Sequence, residues 1–172
     1  MKKIRKVIIH SSDSPWGTAL IIDDWHRKRG WKCIGYGAVI TNGIPTHEMY
    51  VEKKRWHWED GQIEWGRPFD DDTFIEDSEI GAHAYGWNKD SVGICLIGKD
   101  GIFTTKQILT LETLCQQLKK AWPHLSKQDF IGHHEIDSNK TCPDINMKDL
   151  REFIFGILPY EKIRFGPHHI RD

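Results

Sequence analysis

Cys142 follows two adjacent histidines, in Gly132-His133-His134-Glu135 and then Lys140-Thr141-Cys142-Pro143. A third histidine, His10, ends the apolar run Val7-Ile8-Ile9 near the N-terminus. Imidazole nitrogen and thiolate sulfur are donors that suit zinc better than magnesium or calcium. Three such donors leave a fourth position for water, which distinguishes a catalytic zinc from a structural one. His133 and Cys142 are nine positions apart, far enough for a loop to fold back. His10 is so distant that spacing alone does not bring it to the pair. The plain alternative is a surface histidine, a loop cysteine and a strand-end histidine with no shared role. No His-Glu-x-x-His element is present, so this is not a helix-borne metalloprotease site. No Gly-x-Ser-x-Gly elbow surrounds Ser11 or Ser12. Cys142 acting as a nucleophile beside His133 is a further alternative.

The elements that would position these groups alternate between strand and helix patterns. Val7-Ile8-Ile9 reads as a central strand with His10 at its C-terminal end, where open α/β sheets place active-site groups. Thr18 is a candidate cap for a helix from Ala19 to Arg29, with Ile21, Ile22 and Trp25 on one side and Gly30 at its end. Tyr36 to Ile40 reads as a second strand, and Asn42-Gly43 as a tight turn. Residues 47 to 58 read as strand or extended loop, followed by a short strand from Gln62 to Gly66. Asp70-Asp71-Asp72 reads as solvated surface rather than a calcium loop. Ser91 to Ile97 is an apolar strand. Ile108, Leu111, Leu114, Cys115, Leu118 and Trp122 make a core-facing stripe on a helix from Lys106 to Trp122, which Pro123 ends. Phe130-Ile131 leads as a short strand into His133, and a last helix is expected from Met147 to Phe155. These elements predict an α/β fold, a single domain with a central mixed β-sheet flanked by helices. The domain is expected over residues 1–156, with an irregular tail over 157–172.

Composition narrows the classes. The chain has 172 residues, enough for one domain. Its 24 Lys and Arg against 25 Asp and Glu leave a net charge of -1, so no nucleic-acid surface is expected. No run approaches a membrane span, and the apolar stretch near the N-terminus is too short for a signal-peptide core. Cys33, Cys95, Cys115 and Cys142 form no close pair; Cys95 and Cys115 are expected to be buried thiols rather than disulfide partners. Eight tryptophans are many for this length, and each of Trp56, Trp58, Trp65 and Trp87 reads either as core or as a stacking surface for sugar or peptide.

Five blocks together carry a resemblance: Ile8-Ile9-His10-Ser11-Ser12, Gly35-Tyr36, Gly81-Ala82-His83-Ala84-Tyr85-Gly86-Trp87-Asn88, Ser91-Val92-Gly93-Ile94-Cys95-Leu96, and Gly132 to Pro143. In this order they resemble the type 2 N-acetylmuramoyl-L-alanine amidase family, nearest the phage T7 lysozyme branch, whose fold peptidoglycan recognition proteins share. The resemblance spans residues 4 to 155. It implies a zinc amidase and a substrate groove passing the metal. It matches His10, His133 and Cys142 to the zinc ligands and Tyr36 and Lys140 to the catalytic helpers. His134 is not the matched ligand. His83 is expected near the groove, contacting substrate or supporting the zinc shell. Asn88 belongs to the same substrate-side block and is expected to fix its loop. Glu135 is either an acceptor for a ligand imidazole or an exposed carboxylate. Two departures stand out. Gly37 occupies a position that is often histidine in phage relatives, and the stretch from Thr46 to Glu59 is longer than in that branch, forming either an added hairpin or a surface excursion. The resemblance implies peptidoglycan or a muropeptide as partner; a monomer is expected. A noncatalytic peptidoglycan-binding module is the rival reading. Synthesis in the bacterial cytoplasm is expected, with release to the wall at phage lysis or a recycling role inside the cell.

Overall fold

The structure, a computed structural model, describes residues 1–169. Along the chain run β1 (Lys2–Lys3), β2 (Lys6–Ser11), α1 (Ala19–Lys28), β3 (Ala38–Asn42), α2 (His47–Val51), β4 (Asp60–Trp65), β5 (Phe74–Ile75), β6 (Ser91–Leu96), α3 (Thr105–Ala121), β7 (Phe130–Gly132) and α4 (Met147–Ile154). Five strands form one mixed sheet in the order β4-β3-β6-β2-β7. Only β3 and β4 pair antiparallel; the other neighbours are parallel. Strands β1 and β5 pair in a separate two-stranded ribbon that the sequence pattern does not announce.

The inner strands are continuously apolar because both sheet faces are covered. Val7 and Ile9 of β2 join Ile40, Ile94 and Leu96 in a core packed by Ile108, Leu111, Leu114 and Leu118 of α3 and by Leu150 and Ile154 of α4. On the other face Val39, Cys95 and Ile97 pack against Ile22 of α1. Side chains alternate along a strand, so His10, one step beyond Ile9, falls on the face away from α3. Cys95 lies beside it in parallel register on β6.

Local chemistry sets the helix boundaries. Thr18 Oγ1 accepts from Ile21 N at 3.2 Å at the start of α1. Thr104 and Gln107 form a reciprocal capping box at the start of α3. The Gln107 amide also donates to the carbonyls of Ile40 and Ile97, both at 2.9 Å, tying the helix to the ends of β3 and β6. The stripe expected on α3 is buried, and the expected Cys95 and Cys115 thiols are buried and free.

Two expectations are corrected. Residues 47 to 58 do not form a strand or hairpin: Thr46 Oγ1 accepts from Met49 N and starts the short helix α2. The added stretch is therefore a helical surface excursion. The second strand begins at Ala38 rather than Tyr36, because Gly35 N is taken by the His26 side chain and the Tyr36 carbonyl by Arg67 N. Residues beyond Gly156 carry single 3-10 turns at Tyr160–Lys162 and Pro167–His169, and Ile163 is buried against the core. No described helix is long and apolar enough to cross a membrane.

Candidate metal centre

Three segments deliver the three donors to the C-terminal edge of the sheet. Strand β2 ends with His10, which is 1% exposed. Strand β7 runs parallel to β2 and releases the chain into a single turn at His133–Glu135. The following loop returns to place Cys142 beside the start of β2's exit: Ser11 N donates to Cys142 Sγ at 3.0 Å. His10 Nδ1 is 3.9 Å from Cys142 Sγ. The His10 and His133 rings have centroids 4.7 Å apart. One donor atom from each of His10, His133 and Cys142 lies within 4.8 Å of the others. An imidazole and a thiolate on one tetrahedral zinc are separated by about 3.5 Å, so small side-chain movements close the set on a single ion. The donors fit a metal, and their chemistry is soft enough for zinc.

Loop closure has its own hydrogen bonds. His134 N donates to the Cys142 carbonyl at 3.0 Å, and its ring Nδ1 lies at the same distance from that oxygen. His134 thus secures the ligand loop from behind. Glu135 accepts from Gly132 N at 2.9 Å and forms a two-pronged ion pair with Arg151. Both carboxylate oxygens are engaged there, fixing the turn that aims His133.

Electrostatics favour neutral imidazoles. Burial holds His10 well below its usual value, with His83 and His133 adding to the effect. Burial also lowers His133, helped by the Lys140 cation. Without a metal, burial pushes the Cys142 thiol up to about 11, against the opposing Ser11 N–H. Ligation of a metal ion requires the thiolate form, which a bound cation favours.

Around the donors lies a cleft of about 450 Å³ lined by Tyr36, His83, Lys140, Arg29 and Trp31 among others. The Tyr36 ring is 5.0 Å from that of His10, and burial raises its hydroxyl well above the usual value. Lys140 is exposed at the rim, its backbone held by the Asp137 carbonyl at 3.0 Å. His83 is behind His10, with His83 Nδ1 3.1 Å from His10 Nε2. Asn88 does not line the cleft; its Oδ1 accepts from His83 N and Ala84 N, both at 2.8 Å. Gly37 has no room for a side chain: a Cβ there would lie 2.8 Å from Phe69. The Phe69 ring occupies the space next to it.

Sequence reasoning missed His26. It lines the cleft, accepts from Gly35 N at 3.0 Å, and is pushed down to about 4, chiefly by burial and then by Arg29. Its signal was the four-residue step from Ile22, which places both on the buried side of α1. Trp56, Trp58 and Trp65 are surface residues, not core, and the first two stack with centroids 5.7 Å apart.

Comparison with known proteins adds a lineage. Residues 1–145 match the family model described as N-acetylmuramoyl-L-alanine amidase. Over 137 residues the chain is 29% identical to the endolysin of Escherichia phage T7, covering 74% of this chain and 70% of that protein. Among solved structures, Drosophila PGRP-LB is similar at 25% identity and a TM-score of 0.58, covering 83% of this chain and 76% of that one. The N-acetylmuramoyl-L-alanine amidase LysC from Clostridium intestinale URNW shares the fold at 23% identity and a TM-score of 0.60, covering 83% of this chain and 77% of that one.

Proposed function

The chain belongs to the N-acetylmuramoyl-L-alanine amidase family, and from that premise we propose that it is a zinc enzyme that cleaves the amide between the lactyl group of N-acetylmuramic acid and L-alanine in peptidoglycan. The observation that carries this reading is the convergence of His10, His133 and Cys142 at the floor of an open cleft. Hydrolysis adds water across the C–N bond: hydroxyl goes to the lactyl carbonyl carbon and a proton to the alanine nitrogen. A zinc ion on these donors supplies Lewis acidity toward water and the scissile carbonyl.

The chain supplies the rest. His10 and His133 present neutral lone pairs and Cys142 one negative charge, which keeps a divalent centre at net +1. Tyr36 is protonated, because burial raises its hydroxyl, and so donates a hydrogen bond to the oxygen that gains charge. Lys140 brings a cation to the same cleft and is positioned by the loop that carries Cys142. His83 stands behind His10, and Asn88 holds the His83 backbone.

The likeness to phage endolysins supports a role in wall degradation at phage lysis. Incubating purified cell wall with zinc-loaded protein, followed by mass analysis, tests the assignment. Free peptides beginning with L-alanine are expected, and a chelator is expected to stop their release. Wall binding without cleavage, in protein shown to hold zinc, would leave only the noncatalytic binding module. New glycan reducing ends would assign the enzyme to a different bond.

A further inference from the structure

We propose that His83 is a positioning residue that fixes the tautomer and the aim of His10. The inference rests on the metal reading above. The two nitrogens of His10 face different partners: Nδ1 is 3.9 Å from Cys142 Sγ, and Nε2 is 3.1 Å from His83 Nδ1. A neutral imidazole that offers the Nδ1 lone pair to a metal carries its proton on Nε2. That proton needs an acceptor, and His83 Nδ1 stands where it points.

His83 must then keep its own proton on Nε2. The Ser91 carbonyl is 3.4 Å from that nitrogen and Ser91 Oγ is 3.5 Å from it. Ser91 Oγ donates to the Trp87 carbonyl at 2.7 Å, so its lone pairs are free to accept. The proton order is therefore set in one direction, from His10 through His83 to Ser91.

The His83 ring is also held in place. A Cβ on Gly93 would fall 2.6 Å from His83 Cγ, and one on Gly81 would fall 2.7 Å from His83 Cδ2. Both contacts are possible only because neither residue has a side chain. Asn88 Oδ1 holds the His83 backbone N–H. At 8% exposure His83 has little surface to offer a substrate, and its reach to the chemistry runs through His10. Ligand histidines commonly give their second N–H to a carboxylate or carbonyl, and loss of such a partner costs roughly 10–100-fold in metal affinity. A neutral imidazole in this role orients His10 without adding a negative charge to the centre.

Zinc affinity by chelator competition, together with melting of the metal-free protein, tests the assignment in wild type, His83→Leu and His83→Asn. Asn places Oδ1 near the position of His83 Nδ1 and restores an acceptor. His83→Leu is expected to weaken zinc binding about 10–100-fold, with His83→Asn recovering most of the loss. Long-range proton–nitrogen NMR of the metal-free wild type is expected to show His10 protonated on Nε2. Equal affinity in wild type and His83→Leu, or a His10 protonated on Nδ1, overturns the proposal. So does an affinity loss shared equally by both variants and matched by lowered melting. Absence of zinc binding in wild type would instead remove the metal reading itself.

Discussion

Cys142 Sγ lies 3.9 Å from His10 Nδ1, although 132 positions separate the two residues along the chain. The contact depends on the parallel pairing of β2 with β7, which brings the end of one strand beside the loop leaving the other. Removing the sulfur should therefore remove the metal and leave the sheet intact. In Cys142→Ser, zinc affinity is expected to fall by more than the roughly 10–100-fold that an outer partner is worth. Wild-type protein should gain about 2.7 kcal/mol of stability at a zinc concentration 100 times its dissociation constant. Thermal melts with and without zinc check both, since the serine variant should show no such shift. An equal zinc-induced shift in the two proteins would exclude Cys142 from the ligand set.

Tyr36 lines the cleft, and its proposed part in the reaction is that of a hydroxyl donor rather than a ligand. Burial keeps that hydroxyl protonated, so its proposed work is donation. Tyr36→Phe removes the donor and keeps the ring against His10. The expected loss is about 10²–10³ in kcat, the range seen when one oxyanion donor is removed. Zinc content should stay at the wild-type level. Turnover on muropeptide and metal analysis of the same sample decide it, and unchanged kcat would remove the hydroxyl from the mechanism.

Stability should have an acidic limb with a named source. Asp149, at the start of α4, accepts from Arg164 N, Nε and Nη2 at 3.1, 2.7 and 3.2 Å. The Arg164 guanidinium holds its carboxyl below the usual carboxylate range. A lowered folded-state value means stabilisation that is complete above the unfolded carboxylate value near 4 and is lost as pH falls through the folded one. Asp149→Asn should cost about 1.5–3 kcal/mol at pH 7, the worth of hydrogen bonds to a charged group. Denaturant melts should show the gap between wild type and variant closing toward pH 2. A gap that is constant with pH would place the cost in packing.

Much of this arrangement is legible in the sequence. The α3 stripe, the β2 and β6 apolar runs and the cap at Thr18 are local patterns, set by residues close together in the chain. The convergence of His10 with Cys142 was not legible from spacing; family resemblance supplied it. What escaped was set by side-chain-to-backbone contacts. His26 draws Gly35 N away from the sheet and delays β3. Thr46 caps a helix where the alternation of Met49, Val51, Trp56 and Trp58 suggested a strand. His83 behind His10 needed distances, since a motif names a residue but not which of its nitrogens faces the metal.

Lys140 provides the sharpest separation between binding and chemistry. Its side chain is exposed at the cleft rim, and its charge helps to lower His133. It is two residues from Cys142, yet the loop is secured by backbone bonds: Lys140 N to the Asp137 carbonyl, His134 N to the Cys142 carbonyl and Asp144 N to the Thr141 carbonyl. None of these needs the ammonium group. Lys140→Ala should therefore leave one zinc per chain and an unchanged fold while turnover falls, by about 10²–10³ if the cation stabilises developing charge as an oxyanion donor does. Lys140→Arg keeps the charge and should retain part of the rate. Parallel metal analysis and wall-digestion rates for the three proteins give the answer. Full activity in the alanine variant would show Lys140 to be a solvated loop charge, and loss of zinc in it would make its effect structural.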